Sequence, residues 1–480
     1  MKRTPVQLLL LLTALVAVAA CGGPGPTTGQ SSPKPGDPTG PRVVVEPEAA
    51  LIDAPVSIRV EGLASGDRIT LRASTDTYGS LWSARAEFVA GPDGVVDVTR
   101  MAPVAGSYAG VDAMGLVWSM TPESADWRTG FARHRGLQPW AIRLAVEKGG
   151  AVIAEGKAMR LRTTNQVERH EIRRDGVVGT LFVPHGGKAR PGIISLGGSE
   201  GGLREGQAAL LASHGYTTMA LAYFDHEDLP EHLHEIPLEY FAKAIAFMKS
   251  HPLVDGDRLG VVGISRGGEL ALLLGATFPE IKAVVAYAPS GVMWPGMDPA
   301  RSPGATWSHE GKPLPYVPYK SDPALQASWI DKLAGGQAIE VTPMFEASMK
   351  DAAAMARAEV AVEKTNGPIL LISGKADALW PSTALAEVAV KRLQKHKHGH
   401  SFEHLAYDDA GHLITAPYRP TAIDSLVHPQ TKVKVAFGGT PQGNARACAD
   451  SWPRVLAFFA KALGDSSPAP AAPATPPATP

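Results

Sequence analysis

At 480 residues, the chain is too long for one ordinary core, so two domains with flexible ends are expected. Its 46 Lys+Arg and 47 Asp+Glu leave a formal net charge of −1. No basic stretch is interleaved with aromatics as a phosphate backbone would require, which argues against nucleic acid as a partner.

In chain order, residues 1–20 read "MKRTPVQLLLLLTALVAVAA": a charged start at Lys2 and Arg3, a short apolar run, then small residues. This is the pattern of a secretory signal and is too short for a spanning helix. Val18-Ala19-Ala20-Cys21 resembles a bacterial lipobox, which predicts that Cys21 becomes the lipidated first residue of an exported, membrane-anchored lipoprotein on the periplasmic or cell-surface side. With only two cysteines in the chain, Cys448 is then left alone and no disulfide can form. Residues 21–42 are rich in Gly, Pro, Ser and Thr and read as a flexible tether; residues 465–480 are Pro/Ala/Thr low complexity with the same reading.

Residues 43–165 carry short β-branched runs separated by turn signals, among them "PVSIRVEGL", "DRITLRAST" and "WAIRLAVEK". Glu147-Lys148-Gly149-Gly150 and Gly91-Pro92-Asp93-Gly94 each read as a hairpin. Strands at this spacing predict an antiparallel, immunoglobulin-like β-sandwich, although no Cys-Trp-Cys arrangement marks an antibody-type domain.

From residue 166 to residue 464 the pattern becomes strands alternating with helices, which predicts βαβ units and a mainly parallel sheet. "PGIISLGG", "YTTMALAYF", "RLGVVGIS", "IKAVVAYAPS", "GPILLISGKAD" and "FEHLAYDDAGH" are the strands, and "CADSWPRVLAFFAKALG" the closing helix, with Cys448 as a buried thiol. Residues 291–365 lack regular alternation; an insertion there would lie over the strand ends and cap a pocket.

The chemistry gathers at "GVVGISRGGELALLLG". Ser265 follows an apolar strand and precedes a helix, with Gly263 and Gly267 at the two places where a strained strand-to-helix turn leaves no room for a side chain. A serine hydroxyl needs a base, an orienting carboxylate and oxyanion donors. Asp377 lies just past a buried strand and His412 just past the last, in the order Ser, Asp, His that an α/β hydrolase uses. Asp408 and Asp409 stand nearer His412 and compete with Asp377, which is preferred because neighbours on one loop rarely present their side chains to the same point. The N–H of Arg266, at a helix N-terminus, is the first oxyanion donor. The glycine-rich "SLGGSEGG" supplies the second, with Gly198 and Ser199 as candidates.

Two histidine clusters, His396/His398/His400/His404 and His226/His232/His234, lack HExxH or cysteine pairing and read as solvated surface. No metal is therefore expected; no P-loop occurs and no GxGxxG follows a strand, so neither a nucleotide hydrolase nor a dinucleotide oxidoreductase is indicated and no cofactor is expected.

The body of the chain resembles the acyl-CoA thioesterase and bile acid-CoA:amino acid N-acyltransferase family from Val43 to Gly464. The likeness is carried by "LIDAPVSIRVEGL", "RPGIISLGGSEGGLREGQAALLASHGYTTMALAYF", "HEDLPEHLHEIPLEYFAKAIAFM", "GVVGISRGGELALLLG", "GPILLISGKADALWPS" and "AGHLITAPY". The resemblance implies an immunoglobulin-like domain before an α/β-hydrolase domain, a triad of Ser265, Asp377 and His412, and hydrolysis of acyl-CoA thioesters through an acyl-serine. A serine in place of the cysteine used by amino acid transferring members implies hydrolysis rather than transfer. Export would take the protein to where CoA is not expected. An exported carboxylesterase acting on other acyl esters or thioesters, or a surface lipoprotein with a vestigial triad, are therefore the alternatives; no protein partner is inferred.

Overall fold

A computed structural model describes residues 40–464 apart from 125–126, 129 and 131–136. The signal segment, Cys21, most of the tether and the 465–480 tail lie outside the described residues.

Alternation of apolar and polar residues sets the first module. In Arg68–Thr77 and Ser80–Val89 every second side chain turns inward, as period-2 patterning requires. Arg42–Glu46, Ser57–Glu61 and Val96–Asp97 form a three-stranded antiparallel sheet. The larger sheet runs in the order Ala49–Leu51, Ala151–Leu161, Trp140–Lys148, Arg68–Thr77, Ser80–Val89, Ala105–Gly106, with Thr121–Pro122 also on Ser80–Val89. Ile58, Val60, Leu71, Trp82, Phe88 and Val146, drawn from both sheets, are all buried in one apolar cluster.

The hairpin expected at Gly149-Gly150 is present, with both glycines at positive φ between antiparallel strands. The one expected at Gly91-Pro92-Asp93-Gly94 is not. The turn forms, with the Gly94 N–H donating to the Gly91 carbonyl at 3.0 Å. However, the strand before it belongs to the larger sheet and the strand after it to the smaller. A turn signal reports local reversal; which partner the next strand finds depends on where its apolar face is buried.

Within the eight-stranded sheet that follows we number β1 Val167–Arg174, β2 Val177–Pro184, β3 Arg190–Leu196, β4 Thr217–Ala222, β5 Val254–Ile264, β6 Ile281–Tyr287, β7 Ile369–Gly374 and β8 Phe402–Tyr407. The spatial order is β1-β2-β4-β3-β5-β6-β7-β8. β2 runs antiparallel to both neighbours and the pairs from β4 to β8 are parallel. Helices cover the faces, so the inner strands β4, β6 and β7 are buried nearly throughout. This is an α/β-hydrolase-type sheet. The antiparallel β1–β2 hairpin departs from the expected βαβ alternation: β1, "VERHEIRR", is an exposed edge strand whose charges hide it from an apolar pattern.

The closing helix begins two turns earlier than its apolar pattern, at Pro441, where the Thr440 hydroxyl accepts from the Gly443 N–H at 2.9 Å. Residues 291–365 hold helices Pro323–Ala334, Thr342–Met349 and Ala352–Ala358. Phe345 of the second helix joins Trp294 and Val317 of the same segment in packing against Trp380 and Leu385 near the carboxyl end of β7.

The two modules share polar and apolar contacts and form one compact unit from Pro41 onward. The buried Asp53 carboxylate accepts from the Trp452 indole and from His214 Nε2, both at 2.6 Å. The Thr421 hydroxyl donates to the Trp118 carbonyl at 3.0 Å, and Arg128 pairs with Asp424 at 3.0 Å. Among the described residues no helix is long and apolar enough to cross a membrane.

Candidate active site

β5 ends at Ile264 and a helix, Arg266–Thr277, starts at once; Ser265 between them has φ 58 and ψ −123. A non-glycine residue held there stores roughly 1–3 kcal/mol of backbone strain, and neighbours must hold it. The Ser265 N–H donates to the Tyr287 carbonyl at 2.9 Å, and its own carbonyl accepts from the N–H groups of Gly268 and Glu269. A Cβ on Gly263 would lie 2.0 Å from the Gly267 carbonyl oxygen, and one on Gly267 would lie 2.2 Å from that of Gly197. Both glycines are therefore sterically required, as their spacing suggested.

Asp377 follows β7 and His412 follows β8, and their side chains meet: His412 Nδ1 and Asp377 Oδ2 are 2.9 Å apart, with both residues buried. The other carboxylate oxygen accepts from the N–H groups of Leu379 at 3.0 Å and Trp380 at 3.2 Å, fixing its orientation. The His412 ring lies parallel to Phe437 and edge-on to Trp380. Ser265 and His412 line the same cavity. Asp408, by contrast, is exposed and pairs with Lys375 at 2.8 Å. Asp409 sits at φ 55 with its carbonyl accepting from Thr440.

The Arg266 N–H opens the helix, among the first-turn donors that have no acceptor within it. Its side chain is buried, paired with Glu269 at 2.7 Å and bonded to the Trp294 and Pro295 carbonyls and the Thr306 hydroxyl. Burial pushes the Glu269 carboxyl up to about 7 against the pull of Arg266. The pair thus fastens the inserted segment to the elbow helix. The glycine-rich loop comes directly to the serine: a Cβ on Gly198 would lie 3.2 Å from that of Ser265. Tyr223, buried, donates its hydroxyl to the Gly197 carbonyl at 2.7 Å, tying that carbonyl back.

Ser199, proposed for its backbone, also presents its hydroxyl. That hydroxyl lies 2.8 Å from Nε2 of His428, a buried residue that the sequence pattern does not single out. His428 is carried by an unanticipated hairpin, Ser425–Val427 with Lys434–Ala436, and lines the cavities around Ser265. Its Nδ1 accepts from the N–H groups of Gln430 at 3.3 Å and Thr431 at 3.4 Å. That assigns the proton to Nε2, which donates to Ser199 and leaves the serine's own proton for an acceptor in the cavity. The only sequence signal is a histidine beside a proline in a loop, which is common.

Burial holds the His428 pKa down at about 4. Between its ordinary value of 6.5 and 4, the unfolded chain takes up a proton that the folded one refuses, so stability is full above pH 6.5 and falls toward pH 4. Urea unfolding of the natural protein should lose about 2 kcal/mol more between pH 7 and pH 4.5 than a His428→Gln variant. Equal losses in the two would count against this assignment.

Two cavities meet at Ser265, one lined by His412 with Arg162, Arg204 and Arg419, the other apolar. Met297, Tyr319, Val341, Phe345, Trp380 and Val435 line an apolar cavity on one side. Cys448 lies apart from both, buried on the closing helix with its thiol pushed up by burial, as expected. In the first histidine cluster His396 and His400 are exposed as expected, but His398 and His404 are not. His404 is held between Glu387 and Ser373, each at 2.8 Å, and His398 faces the Glu363 and Gly367 carbonyls. Polar partners distant in the chain, unseen in sequence, engage these rings. Among the described residues no group of three or more His, Cys, Asp or Glu could hold a metal.

Models of the acyl-CoA thioester hydrolase/BAAT N-terminal region and of the BAAT / acyl-CoA thioester hydrolase C terminal match residues 53–174 and 236–465. The chain is 34% identical to mouse acyl-coenzyme A thioesterase 6, over 87% of its own length and 95% of that protein. It is 33% identical to human acyl-coenzyme A thioesterase 1, over 86% and 94%. The chain belongs to the acyl-CoA thioester hydrolase/BAAT family. The two models together reach into both modules. Among solved structures, a Mycobacterium tuberculosis puromycin-hydrolyzing peptidase aligns with a TM-score of 0.40 and 14% identity, over 84% of this chain and 54% of the other.

Proposed function

We propose that the chain is a serine hydrolase of acyl-CoA thioesters, acting through an acyl-serine. The observation that carries this is the buried Asp377–His412 pair facing the same cavity as Ser265, itself held on a strained elbow against a glycine-rich loop. In this reading His412 Nε2 takes the Ser265 proton as Oγ bonds to the thioester carbon. Asp377 holds the ring in the tautomer that leaves Nε2 able to do so. The oxyanion is met by the Arg266 N–H and by the Gly198–Ser199 loop, with the Ser199 hydroxyl, backed by His428, as a further donor. When the C–S bond breaks, His412 returns its proton to sulfur. Water then attacks the acyl-serine with His412 again as base, releasing the acid. An oxygen ester is less readily intercepted by an amine than a thioester is, so a serine nucleophile favours water as acceptor.

Purified full-length protein given acyl-CoAs of graded chain length should release free thiol, and a fluorophosphonate probe should label Ser265. No turnover across the series would exclude the thioesterase reading, and no labelling would favour a vestigial triad. Faster cleavage of simple esters would favour the carboxylesterase. The first module is read as immunoglobulin-like on its two facing sheets, antiparallel but for the parallel edge strand Ala49–Leu51. Anchoring at Cys21 rests on the lipobox-like sequence, and palmitate labelling that survives Cys21→Ser would refute it.

A further inference from the structure

Around Ser265 the protein offers two cavities that differ in the charge of their lining. One is the apolar cavity under the inserted helices. The other, running between the modules, is lined by Arg162, Arg204 and Arg419 together with Glu200. His412 lines the second and not the first. We propose that Arg162, Arg204 and Arg419 form a subsite for an anionic group on the leaving thiol, while the apolar cavity takes the acyl chain. The inference rests on the acyl-transfer reading above and extends it to the substrate's other half.

The side of the leaving group follows from proton balance. As the tetrahedral intermediate collapses, the C–S bond breaks, the electron pair stays on sulfur, and the proton that His412 took from Ser265 goes to that sulfur. The donor and the sulfur must be within hydrogen-bond reach, so the leaving group lies on the face that His412 lines. That face is the arginine cavity.

The charges there are unbalanced. Arg204 pairs with Glu200 at 2.8 Å. Glu205, on an adjoining cavity that the three arginines also line, is engaged by Arg169 at 2.8 Å and by the Thr180 hydroxyl at 2.6 Å. Among the described residues, Arg162 and Arg419 make no ion pair, and the Nε of each is buried without a hydrogen-bond partner. Both arginines are half-buried, and a buried guanidinium N–H without an acceptor is costly, a cost that an anion entering the cavity relieves. Backbone adds to the same polarity. Arg204 is the N-cap of the helix Glu205–Ser213 and makes no side-chain cap, and Arg162 Nη1 lies 3.8 Å from where a Cβ on Gly206 would stand. The arginine therefore reaches the first turn of a helix whose N-terminus favours negative charge. Arg162 comes from the end of the first module, Arg204 from the glycine-rich loop and Arg419 from beyond His412, so the subsite exists only when the modules are packed.

Two leaving groups share this chemistry: the phosphates of coenzyme A, or a carboxylate close to the sulfur of a smaller thiol. Three thioesters of one acyl group separate them: with coenzyme A, with pantetheine, which lacks the phosphates, and with 3-mercaptopropionate. In the full-length protein, Arg419→Gln and Arg162→Gln should each lower the kcat/KM ratio of acyl-CoA to acyl-pantetheine about tenfold, mainly through KM. Arg419→Lys should recover part of it. If the ratio for the mercaptopropionate ester falls instead, the subsite is real and its ligand is the smaller thiol. Equal change across all three esters, or none, overturns the proposal. Calorimetric binding of free coenzyme A to Ser265→Ala and to its Arg419→Gln double variant gives a readout independent of turnover. Failure of the natural protein to cleave any thioester would count against the thioesterase reading itself, whereas cleavage of all three without arginine dependence would remove only the subsite.

Discussion

Ser265→Ala is expected to lower kcat on acyl-CoA by roughly 10⁴- to 10⁶-fold, with KM and thermal stability close to those of the natural protein. The size follows from the chemistry: without Oγ no acyl-enzyme forms, and the remaining oxyanion donors and binding contacts can only assist direct attack by water. The unchanged fold follows from the contacts. Ser265 holds its place through its backbone, whose N–H reaches the Tyr287 carbonyl and whose carbonyl takes the Gly268 and Glu269 N–H groups. Alanine keeps all of these and bears the same φ with no larger side chain. Measurement of single-turnover and steady-state rates beside a melting curve decides it. A variant that keeps a tenth or more of the rate would show that Ser265 is not the nucleophile.

The second large effect is at Asp377. Asp377→Asn should cost about 10⁴ in kcat with little change in stability, because an amide in place of the carboxylate oxygen facing Nδ1 favours the wrong imidazole tautomer. The backbone N–H groups of Leu379 and Trp380 still find an acceptor in the asparagine oxygen, so that the side chain remains anchored. With its oxygen held there, the amide nitrogen faces His412 Nδ1 and donates where it should accept. Asp408→Asn and Asp409→Asn should each stay within about twofold of the natural rate, since Asp408 points to solvent and Lys375 and neither meets the ring. A large loss at Asp408 or Asp409 with a small one at Asp377 would reverse the assignment.

These two residues also mark how far sequence reaches. Ser265 and its flanking glycines were legible because their requirement is local: a strand, a tight turn and a helix in succession leave space for hydrogen alone at two positions. The Asp and His were legible from chain order, though three acids stood in range. The preference for Asp377 is already legible in the sequence, because neighbours on one loop rarely reach the same point; the tertiary structure adds the contact, since the loops after neighbouring strands β7 and β8 converge while Asp408 turns outward.

Local pattern by itself determined the strands and helices that bury one face, the Gly149-Gly150 hairpin and the elbow at Ser265. Tertiary structure decided what depends on partners distant in the chain. It sent the strand after Gly94 to the other sheet, made an edge strand of the charged residues 167–174, and folded the irregular insertion into helices over the apolar cavity. It likewise brought His428 to Ser199, 229 positions away, and gathered Arg162, Arg204 and Arg419 around one opening. The physical reason is the same in each case. Periodicity and steric exclusion act between neighbours along the chain, whereas burial, charge balance and hydrogen-bond pairing are settled only by what the fold places opposite.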